Sequence, residues 1–260
     1  ARSGDVRRLG AVAVHEVEPL PVQAHVGAAQ LDHPATIRRP ADVTRSVFVT
    51  RYAQLERHAL ADAMLAVGPD APTLCHPWRA CDLAAHLVIR ETRPDLAAGM
   101  AIPALRGRLE REQAQLAATD FDALVERVRT GPPRWSPAAI PAVDEAMNRM
   151  EFFVHHEDLL RADPQAPRRE LDPAHAAAVW AGLVRMAGLL YRPAKVGVIL
   201  VADGVGRHVA TRPGAEGSAV LRGSVAEVAL YSFGRRSAAD VRIAGGEAAI
   251  AALTAAHLGI

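Results

Sequence analysis

The sequence predicts an α+β chain in which a bundle of helices precedes a small α/β domain. Apolar residues recur at helical spacing in successive segments from Ser46 to Tyr191. After Pro193 the period shortens to β-branched runs separated by Asp203-Gly204 and Pro213-Gly214 turns. Half of the residues are hydrophobic but only 4% are aromatic, so the core must come from Ala, Leu and Val, with Ala favouring close-packed helices. A chain of 260 residues suits one large or two modest domains, and the change of period sets two, 45–192 and 193–260.

Residues 1–44 mix Arg, Pro, Gly and His without sustained period and read as a flexible, disordered leader carrying His15, His25 and His33. An over-extended reading frame would produce such a leader, and a protein starting near Arg45 would then keep full activity and melting. Phe48, Tyr52, Leu55, Leu60, Met64 and Leu65 predict a helix over 46–67, stopped by Gly68-Pro69. A loop through Pro77 follows, then a helix over 79–92 with Leu83, His86, Leu87 and Ile89 on one side. Residues 103–130 give two more amphipathic pieces, and 130–137 a turn-rich connection. Pro141 suits a first helical turn and opens a helix to Ala162 that carries Met147, Met150, Phe153, Val154 and Leu160 inward. Asp172-Pro173 starts the next, over 173–191. Beyond it come strands at 196–201, 207–211 and 219–221, a helix at 225–233, a strand at 240–243 and a helix at 247–257.

Charge and composition narrow the function. Thirty Lys and Arg against 29 Asp and Glu leave +1, so no global field recruits nucleic acid or an anionic membrane. No apolar run reaches the ~18–20 residues of a membrane span and no secretory signal opens the chain, which predicts a soluble cytoplasmic protein. Cys75 and Cys81 make neither a disulfide framework nor a four-cysteine zinc site, and read as free thiols.

The chemistry concentrates in Glu151-Phe-Phe-Val-His155-His156-Glu157-Asp158. Four residues apart on a helix, Glu151 and His155 share a face beside an apolar stripe, where an ionised carboxylate does not sit unpaired. The same spacing also describes an ordinary surface pair worth tenths of a kcal/mol. His86 adds a second inward imidazole from another helix. Three N/O ligands with an open fourth position are the pattern of catalytic rather than structural zinc. Asp82, one turn before His86, and Asp158, three residues after His155, can each orient an imidazole by accepting its other N–H. Asp82 reads equally well as a first-turn residue facing the helix dipole. His156, about 100° around the helix from His155, reads as an interhelical hydrogen bonder.

The run Pro77-Trp-Arg-Ala-Cys-Asp82-Leu-Ala-Ala-His86-Leu-Val, followed by Glu151-x-x-x-His155-x-x-Asp158, resembles the metal-binding signature of the mycothiol-dependent maleylpyruvate isomerase and DinB-like superfamily. Gly68 to Cys75, His86 to Asp95, Glu151 to Asp158 and Phe233-Gly-Arg-Arg236 narrow the resemblance to an actinobacterial branch of metal-binding proteins. It covers residues 46–260. It implies a DinB-like four-helix bundle with His86, Glu151 and His155 as ligands of zinc or another divalent metal, and a C-terminal domain similar to sterol-carrier-protein-2-like folds. It also implies mycothiol as a thiol cosubstrate for isomerisation or S-transfer, with the substrate unassigned. By the same resemblance Arg235 faces the metal site, where its fork would suit a dicarboxylate. The competing reading makes Arg235 and Arg236 a cationic helix end capped by Gly234. The alternative function is a non-catalytic, metal-stabilised protein carrying a small apolar ligand.

Overall fold

The computed structural model describes residues 51–97, 99, 102–214 and 216–259. The leader and the predicted first turn of the opening helix lie outside the described residues.

Helix α1 (Tyr52–Val67) buries Ala53, Glu56, Arg57, Leu60, Ala61 and Met64, whereas Leu55 and Leu65, two of the apolar residues whose spacing predicts the helix, are 53% and 46% exposed. At 3.6 residues per turn, positions 53, 56, 57, 60, 61 and 64 share one face. That face runs through two charged residues, which other helices supply with partners. Helix α2 (Ala80–Thr92) starts where Asp82 Oδ2 accepts the Arg79 backbone N–H at 2.9 Å. Short α3 (Pro94–Ala97) leads to α4 (Pro103–Ala117) and to α5 (Phe121–Thr130), the last capped by Asp120. Helices α6 (Pro141–Leu160) and α7 (Pro173–Leu190) both begin with proline at the first position, where a missing N–H costs nothing.

Helix α6 organises the rest. Phe152 and Leu159 join a core with Leu60, Met64, Leu83, Leu87 and Leu124, while Met150, Phe153 and Val154 join another with α7 and the sheet. From Phe152 to Leu159 every residue is buried, so the polar residues of that stretch must find partners inside. Met147, expected inward, is 55% exposed, because it precedes the fully enclosed stretch.

Strands β1 (Gly197–Ala202), β2 (Gly206–Thr211), β3 (Ser218–Gly223) and β4 (Arg242–Gly245) form one sheet in the order β2-β1-β3-β4. β1 pairs antiparallel with β2 across the Gly204 turn and parallel with β3, aligning Leu200 with Leu221. β3 pairs antiparallel with β4. Alternate residues Val198, Leu200, Ala202, Ala219 and Leu221 face the core, under α7, α8 (Val225–Ser232) and α9 (Glu247–Ala255). β4 begins two residues later than its pattern predicts, because the Asp240 N–H goes to Glu227 Oε2 at 2.8 Å instead of to a ladder. A helical bulk with a four-stranded mixed sheet makes the chain α+β, the class its periodicity predicts.

Candidate metal centre

Helices α2 and α6 bring His86, Glu151 and His155 together. Nε2 of each imidazole lies 3.3 Å from the same Glu151 Oε1, and one donor atom from each of the three residues lies within 4.8 Å of the others. Arg90, one turn beyond His86, places Nε 3.1 Å from that oxygen. Trp78 packs against the His86 ring with centroids 4.9 Å apart. Both histidines are buried.

Burial alone would raise the Glu151 carboxyl, but bonds from His155 and His86 and the Arg90 charge hold it well below the usual range. Burial pushes His86 down. It would do the same to His155, yet Asp158, Cys75 and Glu151 carry that ring well above its ordinary value.

Asp158 is the hinge of this arrangement. Its carboxylate is fully buried and sits 2.9 Å from His155 Nδ1, with Arg235 Nε on Oδ1 at 2.8 Å and Nη2 on Oδ2 at 2.6 Å. Burial opposes ionisation there, but Arg235 and His155 bring the carboxyl down to about 2. With the Nδ1 proton directed at Asp158, a neutral His155 turns the Nε2 lone pair toward Glu151 Oε1. Two acceptors 3.3 Å apart repel unless a proton or a cation lies between them. The chain alone meets this by protonating His155, and a divalent cation would meet it equally. Two imidazole nitrogens and one carboxylate oxygen are borderline donors of the type zinc takes.

The other predicted residues fall as follows. Asp82 lines the cavity and bonds Arg79, and among the described residues no hydrogen bond joins it to His86. Arg235 also lines it, with Nη1 on the Phe233 carbonyl and Nη2 on Cys75 Sγ, so four of its five N–H groups are engaged. His156 crosses to α1, with Nδ1 2.7 Å from Glu56 Oε2.

Cys75, read from the sequence only as a free thiol, belongs to the site. Its Sγ donates to Asp158 Oδ2 at 3.0 Å and lies 3.9 Å from His155 Nδ1. The Leu74 N–H bonds the Asp158 carbonyl at 2.9 Å and pins this loop to α6, a tertiary contact with no sequence signal. Arg90 was findable, since four residues after His86 it shares that face. Cys75 is half-buried on the cavity, whereas Cys81 is 6% exposed and burial raises its thiol. Iodoacetamide on the folded protein should therefore modify Cys75 well ahead of Cys81 in peptide mass spectra, and equal rates would contradict this placement.

A cavity of about 1160 Å³ opens on the site, lined by Cys75, Trp78, His86, Arg90, Glu151 and His155 among others. No protein-family profile and no curated protein matches the chain. Two solved structures do: the mycothiol-dependent maleylpyruvate isomerase, 17% identical with a TM-score of 0.50, and a point mutant of that enzyme, 18% identical with a TM-score of 0.49. Each match covers 75% of this chain and 91% of the other. The shared feature is the fold. Among the described residues, no helix is long and apolar enough to cross a membrane.

Proposed function

We propose that this chain is a metal-dependent, thiol-using enzyme, an isomerase or S-transferase, in which His86, Glu151 and His155 hold one divalent ion, zinc, and a thiol of the mycothiol type is cosubstrate. The observation that carries this reading is the convergence of two Nε2 atoms on one Glu151 oxygen, with Asp158 orienting His155 from behind. The mycothiol dependence of the structural neighbour supports the thiol. Residues 45–192 then form the DinB-like four-helix bundle that holds the metal, and 193–260 a sterol-carrier-protein-2-like domain, in a cytoplasmic protein.

Bound zinc would lower the pKa of a coordinated thiol and present a nucleophile at neutral pH. The residues divide the remaining work. Asp158 fixes the His155 ring and keeps its Nδ1 proton, Arg90 steadies Glu151, and Trp78 screens His86 from water. Arg235 anchors Asp158, and recognition of a dicarboxylate by its fork would require giving up part of that pair. The bond to Arg79 supports the helix-start role of Asp82 over an orienting one.

Purified protein should contain about one equivalent of zinc, and His86→Ala or His155→Ala should remove it. Asp158→Asn should weaken zinc about 10–100-fold. Full metal in either histidine variant would end the ligand assignment. In cobalt-substituted protein, added mycothiol should give a thiolate charge-transfer band, whereas an unchanged spectrum would favour a metal-stabilised binding protein.

A further inference from the structure

The cavity has two chemically different sides. Helices α2 and α4 contribute a mixed side of Asp82, Arg106, Glu110 and Gln113 together with Leu109 and Ala114. Helices α6 and α7 and the C-terminal segments contribute Met147, Met150, Val154, Met186, Phe233 and Leu258. Among the described residues, three methionines, Met147, Met150 and Met186, line this one cavity. Met150, Val154 and Phe233 belong to the core under the sheet, with Met186 and Leu258 packed against it, so this wall is the outer surface of a packed apolar core.

The cations beside this wall are committed. Arg235 spends four of its five N–H groups on Asp158, Cys75 and the Phe233 carbonyl. Arg90 bonds Asn148 and the Met147 carbonyl and pairs with Glu151. A dianion seated against this wall would lose its hydration and could gain a guanidinium there only by breaking the buried Arg235–Asp158 pair, since the remaining arginine of the lining, Arg106, is on α4 and exposed, where water screens its charge. Thioether side chains instead adapt to flat apolar molecules of varied outline, with favourable sulfur–ring contacts.

We propose that the acceptor partner of the thiol in this cavity is an uncharged apolar molecule of aromatic size, bound against Met150, Met186 and Phe233. The proposal rests on the thiol-using reading above. An acceptor with an activated carbon–carbon double bond completes the chemistry without a further reactant: sulfur bonds one carbon, the π pair moves to the other, and that carbon takes the proton released by the thiol.

Equilibrium dialysis of the full chain against 1,3-dinitrobenzene, a neutral and unreactive probe, tests the class of ligand. One molecule should bind per chain. Met186→Glu, which puts a charge on a half-buried wall position, should weaken it at least about tenfold. Met186→Leu should bind as the parent does and shows that the position tolerates change, while a tenfold excess of maleate should displace nothing. Absent binding, binding indifferent to Met186→Glu, or displacement by maleate would each overturn the proposal. Zinc content measured on the same samples keeps the two readings apart: protein that binds the probe but no zinc refutes the metal-dependent function alone, and zinc without probe refutes the apolar acceptor alone.

Discussion

Replacing Arg57 with alanine should cost about 3–5 kcal/mol and lower Tm by about 10 °C. Arg57 is 3% exposed and its guanidinium is bidentate to Glu91, with Nη1 on Oε2 at 2.6 Å and Nη2 on Oε1 at 2.5 Å. It also bonds Asp144 at 3.1 Å and the Val128 carbonyl at 3.1 Å, and lies 4.2 Å over the Phe152 ring. One side chain of α1 thus ties together α2, α5 and α6. Its removal leaves the buried Glu91 carboxylate with Asn148 Nδ2 at 2.8 Å as its remaining side-chain partner. The penalty comes from that uncompensated charge more than from the lost contacts, and a second variant separates the two. Arg57→Met with Glu91→Leu removes both charges and keeps most of the volume, so the pair should be less destabilising than Arg57→Ala alone. Denaturant unfolding at pH 7 gives both values. A loss below about 1 kcal/mol for Arg57→Ala would show that the Glu91 carboxylate is not left uncompensated.

The same residue shows where sequence reading stops. Helix positions were legible because caps, first-turn prolines and apolar periods are local, and α2, α6 and α7 fall within two residues of their predicted bounds. The buried face of α1 was not. Its inward charges are paid by Glu91 and Asp144 for Arg57, and by His156 and Arg169 for Glu56, at separations of 34 to 113 residues. The apolar period therefore takes in Leu55 and Leu65, which are exposed, and passes over Glu56 and Arg57, which are inside. The site divides in the same way. Glu151 and His155 are four apart on one helix, a spacing any helical wheel shows, whereas their meeting with His86 depends on how α2 lies against α6. Cys75 sits in an aperiodic loop, and only the folded path of that loop brings its sulfur to Asp158.

Glu56 should make the protein acid-sensitive by about 3 kcal/mol. Its carboxylate is buried, with Oε2 2.7 Å from His156 Nδ1, both oxygens 3.1 Å from Arg169 Nη1, and Oε1 3.1 Å from His175 Nε2. Burial pushes its pKa up, but the bond to His156, the close approach of His175 and the Arg169 charge prevail and bring it from 4.5 down to about 2. Above 4.5 the group is ionised in both folded and unfolded chains, and its stabilisation is fully present. Between 4.5 and 2 the unfolded chain binds a proton that the folded one does not, so each pH unit removes about 1.4 kcal/mol. Below 2 both forms are protonated and the contribution is gone. Asp158, also held at about 2, adds a loss of the same sign, so the parent protein alone cannot isolate Glu56. The difference between parent and Glu56→Gln can, because Asp158 contributes to both. Measured by denaturant unfolding, that difference should be largest near pH 6 and shrink by about 3 kcal/mol toward pH 2. A gap that stays constant over this range would show that Glu56 takes up its proton in the folded protein as readily as in the unfolded chain. The tie between α1 and α6 would then rest on packing, with no contribution from the carboxylate charge.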